Sequence, residues 1–322
     1  IIQAVLAWDP RCILASARLD GRLGYDGGGD SVGGGLAGLV KTLRHEHPGI
    51  AARFVDLGAE LPAAEGAERL LLEWRDSLRP AADPLARYPA ECGWNAHGRW
   101  TLALHEDGEH AGAPLPPLEA GELVLVTGGA RGITAACVRA LAAAVPAHFV
   151  LIGRTAATAE DPAWAHGAEA GAGLKAKALE HLRAHATAPT PRMVDEACRT
   201  VLAAREVRAN LQALRELGAH VDYLPLDLGD GAATRAALQT LLDAHGRIGL
   251  LVHGAGALAD RRIADKRPED IEQVFAPKLD ALLALLDGLD ERPPQRVVLF
   301  SSTAGYAGNA GQADYAMANE AL

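Results

Sequence analysis

Four apolar residues in a row, Leu123-Val124-Leu125-Val126, run straight into Thr127-Gly128-Gly129-Ala130-Arg131-Gly132-Ile133-Thr134. A continuous apolar run reads as a strand buried on both faces, the habit of parallel sheets. A helical pattern over residues 133–144 follows, so the glycines sit between a strand and a helix. There they let the backbone approach an anion closely, and the helix N-terminus adds free N–H groups and a favourable dipole. The rhythm then repeats. Residues 149–152, 221–226, 250–252 and 297–300 read as further strands, with helices over 232–245 and 268–286 between them. Strands alternating with helices imply an α/β, doubly wound parallel sheet whose crevice lies at the C-terminal strand ends.

The first third of the chain carries a fainter version of this pattern. Residues 5–8, 13–17, 52–57 and 100–104 read as strands, and 33–47 and 67–78 as amphipathic helices. Leu36, Leu39, Val40 and Leu43 share a helical face, and Pro48-Gly49 ends it. Gly27 to Gly35 is glycine-rich but lacks the ordered spacing of the later turn and a cationic partner, so it reads as part of a degenerate structural subdomain. The Pro/Gly-dense stretch 111–117 marks a boundary, dividing the chain into residues 1–117 and 118–322. Residues 156–217 are too long for one crossover and read as a helical insertion. Within it, residues 174–186 are helical. A second helix starts at Thr190-Pro191, with Thr as cap, and stops near Leu217 before Gly218.

Charge and cysteine usage exclude several classes. The net charge of −10 over 322 residues argues against a general nucleic-acid binder. No apolar run approaches the ~20 residues that span a bilayer. The opening Ile1-Ile2-Gln3 has no basic n-region of a signal peptide and reads as a cut from a longer polypeptide. Cys12, Cys92, Cys137 and Cys198 are scattered without a CxxC pair, so neither a disulfide framework nor a metal cage is expected, and a reducing cytoplasm fits. His45 and His47 diverge on a helix. His181 and His185 share a face and read as solvated, as do Arg205, Arg208 and Arg215 with Glu206 and Glu216, a face that also suits a neighbouring domain or an acidic carrier protein.

The remaining motifs carry chemistry. Gly153-Arg154 ends the second strand of the later sheet, where an arginine suits a 2′-phosphate; Arg131 in the turn is a second cation. NADPH is therefore expected over NADH. Asp227, followed by Leu228, either accepts from an adenine amino group or is a strand-end turn residue. His253-Gly254-Ala255-Gly256 places small residues where a nicotinamide ribose lies against backbone, with His253 as a positioned strand-end residue. Reduction of a carbonyl by hydride needs a proton donor and hydrogen bonds aimed at the developing alkoxide. A tyrosine hydroxyl can donate when an ammonium stabilises its phenolate. Phe300 to Tyr306, with Ser301-Ser302, and Gly311 to Asn319, with Tyr315, offer the hydroxyls and tyrosines; the site needs a cation besides.

With these motifs in view, residues 123–322 resemble a short-chain dehydrogenase/reductase. Free-standing members carry Tyr-x-x-x-Lys; this chain has Tyr315-x-x-x-Asn319. Ketoreductase domains of polyketide synthases show that exchange and take the lysine from the preceding long helix, which Phe275-Ala276-Pro277-Lys278-Leu279 matches. Residues 129–134, 175–217, 253–260 and 308–312 look like the ketoreductase of polyunsaturated fatty acid synthases and related iterative synthases. Residues 33–57 resemble the structural subdomain that precedes its catalytic half. The resemblance implies a Rossmann-like catalytic subdomain after a smaller degenerate one. It implies Tyr315 as proton donor, Ser302 on the substrate carbonyl, Lys278 beside the tyrosine and the nicotinamide ribose, and Asn319 ordering the relay. It implies Thr127, Gly128, Gly129, Arg131, Gly132, Ile133, Gly153, Arg154, Asp227, Leu228, His253, Gly254, Ala255 and Gly256 as the cofactor set. Thr134 stands where many reductases have glycine. Leu258 and Asp260 keep two positions of a stereochemical signature that implies a 3R hydroxyacyl product, and Ala307 stands where the other class has tryptophan. The implied reaction is NADPH-dependent reduction of a β-ketoacyl group on acyl carrier protein, beside neighbouring domains of one synthase. A silent scaffold and a free-standing ketone reductase are the alternatives. A substrate-covering helix and final strand are expected to follow Asn319 beyond this chain.

Overall fold

The computed structural model describes residues 1–27, 31–78, 89–104, 117–185 and 188–322. The boundary stretch 111–116 and the glycines at 28 and 29 lie outside them. The chain forms two compact units, each discontinuous in sequence. One holds Ile1–Pro114, Gly256–Ala281 and Ser301–Leu322; the other holds Leu115–Ala255 and Leu282–Phe300.

The first unit opens with a short helix, α1 (Ile2–Leu6), where the apolar run 5–8 predicts a strand. Ile2 and Leu6, four apart, share one helical face and pack on a cluster containing Val40, Leu43 and Phe54. The Gln3 amide donates to the carbonyls of Ile263 and Lys266 at 2.9 and 2.8 Å, so tertiary contacts override a strand-like run. β1 (Cys12–Ala17) follows. The expected helix 33–47 is interrupted at Gly35, giving α2 (Ser31–Gly34) and α3 (Leu36–Glu46). β2 (Ala51–Leu57) pairs parallel with β1, and α4 (Ala63–Ser77) comes next. β3 (Glu91–Asn95) is parallel to β2, and β4 (Gly98–Trp100) folds back antiparallel. The strand expected over 100–104 thus ends at Trp100, and the sheet order is β1-β2-β3-β4.

The second unit is built on β5 (Leu123–Thr127), α5 (Gly132–Ala144) and β6 (His148–Gly153). The insertion supplies α6 (Ala172–His185) and α7 (Pro191–Glu216). As the sequence predicts, Thr190 caps α7 by accepting from the Met193 N–H, and Gly218 closes it at φ +79°. Cys198 and Val201 near the start of α7 pack with Leu174 and Ala178 of α6. Val207, Leu211 and Leu214 near its end pack on the sheet core of Val124, Val126, Phe149 and Leu151. The last turns of α7 are therefore the crossover helix, and its first turns with α6 are the insertion. β7 (His220–Pro225), α8 (Gly231–His245) and β8 (Leu250–His253) follow.

The chain then contributes α9 (Pro268–Phe275) and a five-residue π-helical turn, Ala276–Asp280, to the first unit. The single helix predicted over 268–286 is thus split by that turn, with α10 (Ala281–Gly288) beyond it. β9 (Arg296–Leu299) completes a five-stranded parallel sheet, order β7-β6-β5-β8-β9. This is a Rossmann-like doubly wound sheet. Finally α11 (Thr303–Ala307) and α12 (Ala313–Ala321) join the first unit. Among the described residues no helix is long and apolar enough to cross a membrane.

Candidate active site

In the second unit, Thr127 ends β5 fully buried. Its Oγ1 lies 2.8 Å from His253 Nδ1 and accepts the Ala255 N–H at 3.2 Å. These bonds tie the β5 turn to the end of β8. Gly128 has φ +68°, and a Cβ there would lie 3.0 Å from the Ala255 backbone. A side chain is excluded by conformation and by space alike. A Cβ on Gly254 would sit 2.4 Å from Thr134 Oγ1, so the threonine that replaces the usual glycine in α5 is accommodated by a glycine across the turn. Gly132 starts α5 at φ +59°, and Ile133 beside it is 80% exposed. Thr127, Gly128, Gly129, His253, Gly254 and Ala255 are thus one small-residue cradle at the C-terminal ends of β5 and β8, with the N-terminus of α5 opening from it.

Gly153 ends β6, and a Cβ there would meet the Tyr223 hydroxyl at 2.7 Å. That hydroxyl donates to the Thr155 carbonyl at 2.6 Å, and burial pushes its pKa up. Tyr223 therefore fixes the turn that presents Arg154, which is exposed. Asp227 is exposed and accepts the Gly229 N–H at 3.1 Å, while Leu228 is buried.

Arg131 is not an open cation. Its Nε donates to Glu206 Oε2 at 3.0 Å, and Glu206 Oε1 accepts the Gly132 N–H at 2.8 Å. The Gly132 hydrogen bond, helped by Arg131, holds the Glu206 carboxyl below its ordinary range. The solvated face expected on α7 is thus corrected: Glu206 reaches the glycine turn, and Arg205 and Arg208 both hold Asp161. No spacing in the sequence links residue 206 to residue 131. The residues still fit a dinucleotide, since Gly128 and Gly254 leave no room for a side chain and the exposed Arg154 stands at the end of β6.

The first unit gathers the other set. Ser302 caps α11, its Oγ accepting the Ala304 N–H at 3.2 Å. Ser301 Oγ donates to the Asn319 carbonyl at 3.1 Å. Tyr315, half-buried on α12, packs on a cluster of Val274, Leu279, Ala318 and Ala321. Asn319, one turn on, donates its Nδ2 to the Tyr315 carbonyl at 2.8 Å, and its buried Oδ1 has no hydrogen-bond partner among the described residues. Lys278 is 4% exposed in the π-helical turn, a feature common at functional sites. A Cβ built on Gly256 would lie 4.0 Å from its Nζ. Burial pushes the Lys278 ammonium down to about 8. α12 packs against both α11 and the π-helical turn, so it joins the elements that carry Ser302, Tyr315, Asn319 and Lys278. Leu258 is exposed, and Asp260 accepts from the Gln312 amide at 3.1 Å.

Beneath α12 runs α3. A Cβ on Gly38 would fall 2.5 Å from the Met317 nitrogen, so only glycine permits this approach. Lys41, buried one turn further on, donates to the Gly305 carbonyl at 3.0 Å and pairs with Glu320 and Glu91, each at 2.8 Å. Burial, with the Glu320 carboxylate adding to it, drives the Glu91 pKa upward against the pull of Lys41. One side chain therefore ties α11 to α12. Sequence reading missed it because Lys41 is one lysine in an amphipathic helix.

A hydroxyl pair, an amide and an ammonium held near neutrality can protonate and orient a carbonyl oxygen as it gains charge. The family model of the KR domain matches residues 123–322. The chain is 33% identical over 321 residues to a polyunsaturated fatty acid synthase subunit from Thraustochytrium sp., covering 95% of this chain and 11% of that protein. It is 27% identical over 285 residues to the polyketide synthase PksL of Bacillus subtilis, covering 88% of this chain and 5% of that protein. A ketoreductase domain from the bacillaene assembly line superposes with TM-score 0.69 at 24% identity, over 100% of this chain and 62% of that one. An A1-type ketoreductase does so with TM-score 0.69 at 24% identity, over 97% and 54%.

Proposed function

The chain belongs to the KR domain family, whose fold binds a nicotinamide cofactor, and from that premise we propose that it reduces a β-ketoacyl group to a 3-hydroxyacyl group with NADPH. The acyl chain is carried on the phosphopantetheine arm of an acyl carrier protein, within a synthase whose neighbouring domains make and use it. The observation that carries this reading is the grouping of Ser302, Tyr315, Asn319 and buried Lys278 on α11, α12 and the π-helical turn.

Bound NADPH supplies a hydride to C3 of the ketone. The Tyr315 hydroxyl delivers its proton to the carbonyl oxygen, so one C–H and one O–H bond form. Ser302 Oγ has accepted the Ala304 N–H and still has its own proton to donate to that oxygen. Lys278, as ammonium, stabilises the phenolate that remains and orients the ribose. Asn319 pins the Tyr315 carbonyl and turns its unsatisfied Oδ1 to the proton relay. The N-terminus of α5 and the cradle around Gly128 would hold the pyrophosphate, Arg154 the 2′-phosphate and Asp227 the adenine. Leu258 and Asp260 bias the product to 3R.

The test is NADPH oxidation with a carrier-bound β-ketoacyl thioester. Wild-type protein turns over, and Tyr315→Phe loses about 10³-fold in kcat, the scale of a positioned general acid, with NADPH binding intact. Undiminished turnover in Tyr315→Phe would sink the assignment.

A further inference from the structure

The opposite rim of the five-stranded sheet, at the N-terminal ends of β6 and β7, carries a cluster the reductase chemistry does not use. His148 of β6 is in register with His220 of β7, and paired residues of parallel strands point to the same face. Asp222, two residues beyond His220, shares that face. His148 Nε2 lies 2.8 Å from Asp222 Oδ2, and the His148 and His220 rings are 3.9 Å apart between centroids. His245, the last residue of α8, brings a third ring to 4.7 Å from His148. One ligand atom from each of His148, His220 and Asp222 lies within 4.8 Å of the others. The sequence predicts no metal, because its cysteines lack ligand spacing and His148 and His245 lie far along the chain from the His220–Asp222 pair.

We propose that His148, His220, Asp222 and His245 form a zinc site. Three imidazoles and one carboxylate are a tetrahedral zinc donor set, with ligand bonds of ~2.0–2.2 Å that place donor atoms ~3.3–3.6 Å apart. His220, Asp222 and His245 are exposed and can close that gap by side-chain rotation without moving the strands. Charge favours a cation as well, since the Asp222 carboxylate is joined by the negative end of the α8 dipole at His245. The glycine cradle lies at the other ends of the strands, so this zinc is structural. It joins the end of α8 to the edge of the β6–β7 pair.

Chelator-treated protein is titrated with zinc chloride by calorimetry and thermal melting. One equivalent is expected to bind and to raise Tm by about 5 °C at a hundredfold excess over Kd. The double variant His220→Ala/His245→Ala, folded by circular dichroism, is expected to bind at least tenfold more weakly. His181→Ala/His185→Ala removes a histidine pair on α6 whose ring centroids are 4.5 Å apart and is expected to bind as wild type. Absence of a zinc-dependent Tm shift overturns the proposal. So does binding that survives in the first variant or disappears in the second.

Discussion

Two β-turn-α segments, one in each unit, finish their turns in opposite ways. After β1, the Asp20 carboxylate accepts the N–H groups of Arg22, Gly24 and Asp26 at 2.7–2.8 Å. Asp56 accepts those of Leu19 and Leu23 at 2.8 and 2.9 Å. Burial opposes the Asp20 charge, but its three backbone donors outweigh it and hold the carboxyl below the ordinary range. This turn has an anion built in. After β5, the turn contains no carboxylate of its own, and the acid that reaches it, Glu206, comes from α7 and accepts the Gly132 N–H at 2.8 Å. Glycine content does not separate the two, because both stretches are glycine-rich. What separates them is how many backbone donors the protein's own acids hold: five around the first turn and, among the described residues, the Gly132 N–H in the second.

The largest expected effect comes from closing the second turn. Gly128→Val forces a β-branched residue to φ +68° against the Ala255 backbone, and NADPH affinity should fall about 100-fold by fluorescence titration. Unchanged affinity would place the cofactor elsewhere. Emptying the first turn should act on stability alone. Asp56→Ala strips two N–H groups of their acceptor, one of them buried, which costs about 2–4 kcal/mol. Denaturant melts should show that loss while NADPH affinity stays at wild type; a change in affinity would give the first turn a binding role. The third test is pH. In the proposed reaction Lys278 serves as ammonium, so kcat should hold below pH 8 and fall about tenfold per pH unit above it. Stability moves the other way. The unfolded chain keeps that proton up to the ordinary lysine value, so above pH 8 the folded state gains stability until that value is reached. A flat rate profile would separate Lys278 from the chemistry. The smallest effect is expected from Glu206, whose carboxylate reaches the second turn from outside it. Glu206→Gln leaves Arg131 with a weaker partner and should tighten NADPH binding about three- to fivefold, and NADH less. Equal effects on both would show that Glu206 acts on the loop shape and not on the 2′-phosphate.

The second sheet was legible in the sequence because its central strands, β5, β6 and β8, are buried on both faces. Leu123 to Val126 and Phe149 to Ile152 are uninterrupted, and nothing but a core explains them. The α7 ends were legible from Thr190-Pro191 and Gly218, whose chemistry is local. The run at 5–8 misled because a short apolar stretch has no period of its own, and contacts from Ile263 to Lys266 decided it. The catalytic constellation was read by resemblance, since Tyr315-x-x-x-Asn319 matters only when a lysine arrives from another element. The break in the helix around Pro277 was not foreseen; a single proline is compatible with a kink or a stop as well as a π-turn. Lys41, Glu206 and the His148 cluster were out of reach because each depends on partners brought together only by the fold.

Gly38 and Lys41 carry a consequence for how such a polypeptide can be taken apart. Both lie in the first 117 residues, yet the backbone of α12 rests on one and the carbonyl of Gly305 on the other. A recombination joint near residue 117 respects the sequence motifs but strips the tyrosine helix of its wall. A piece meant to keep that helix aligned therefore has to carry α3 along with the later residues, and a hybrid that borrows only the later residues inherits Tyr315 and its neighbours without the surface that aligns them.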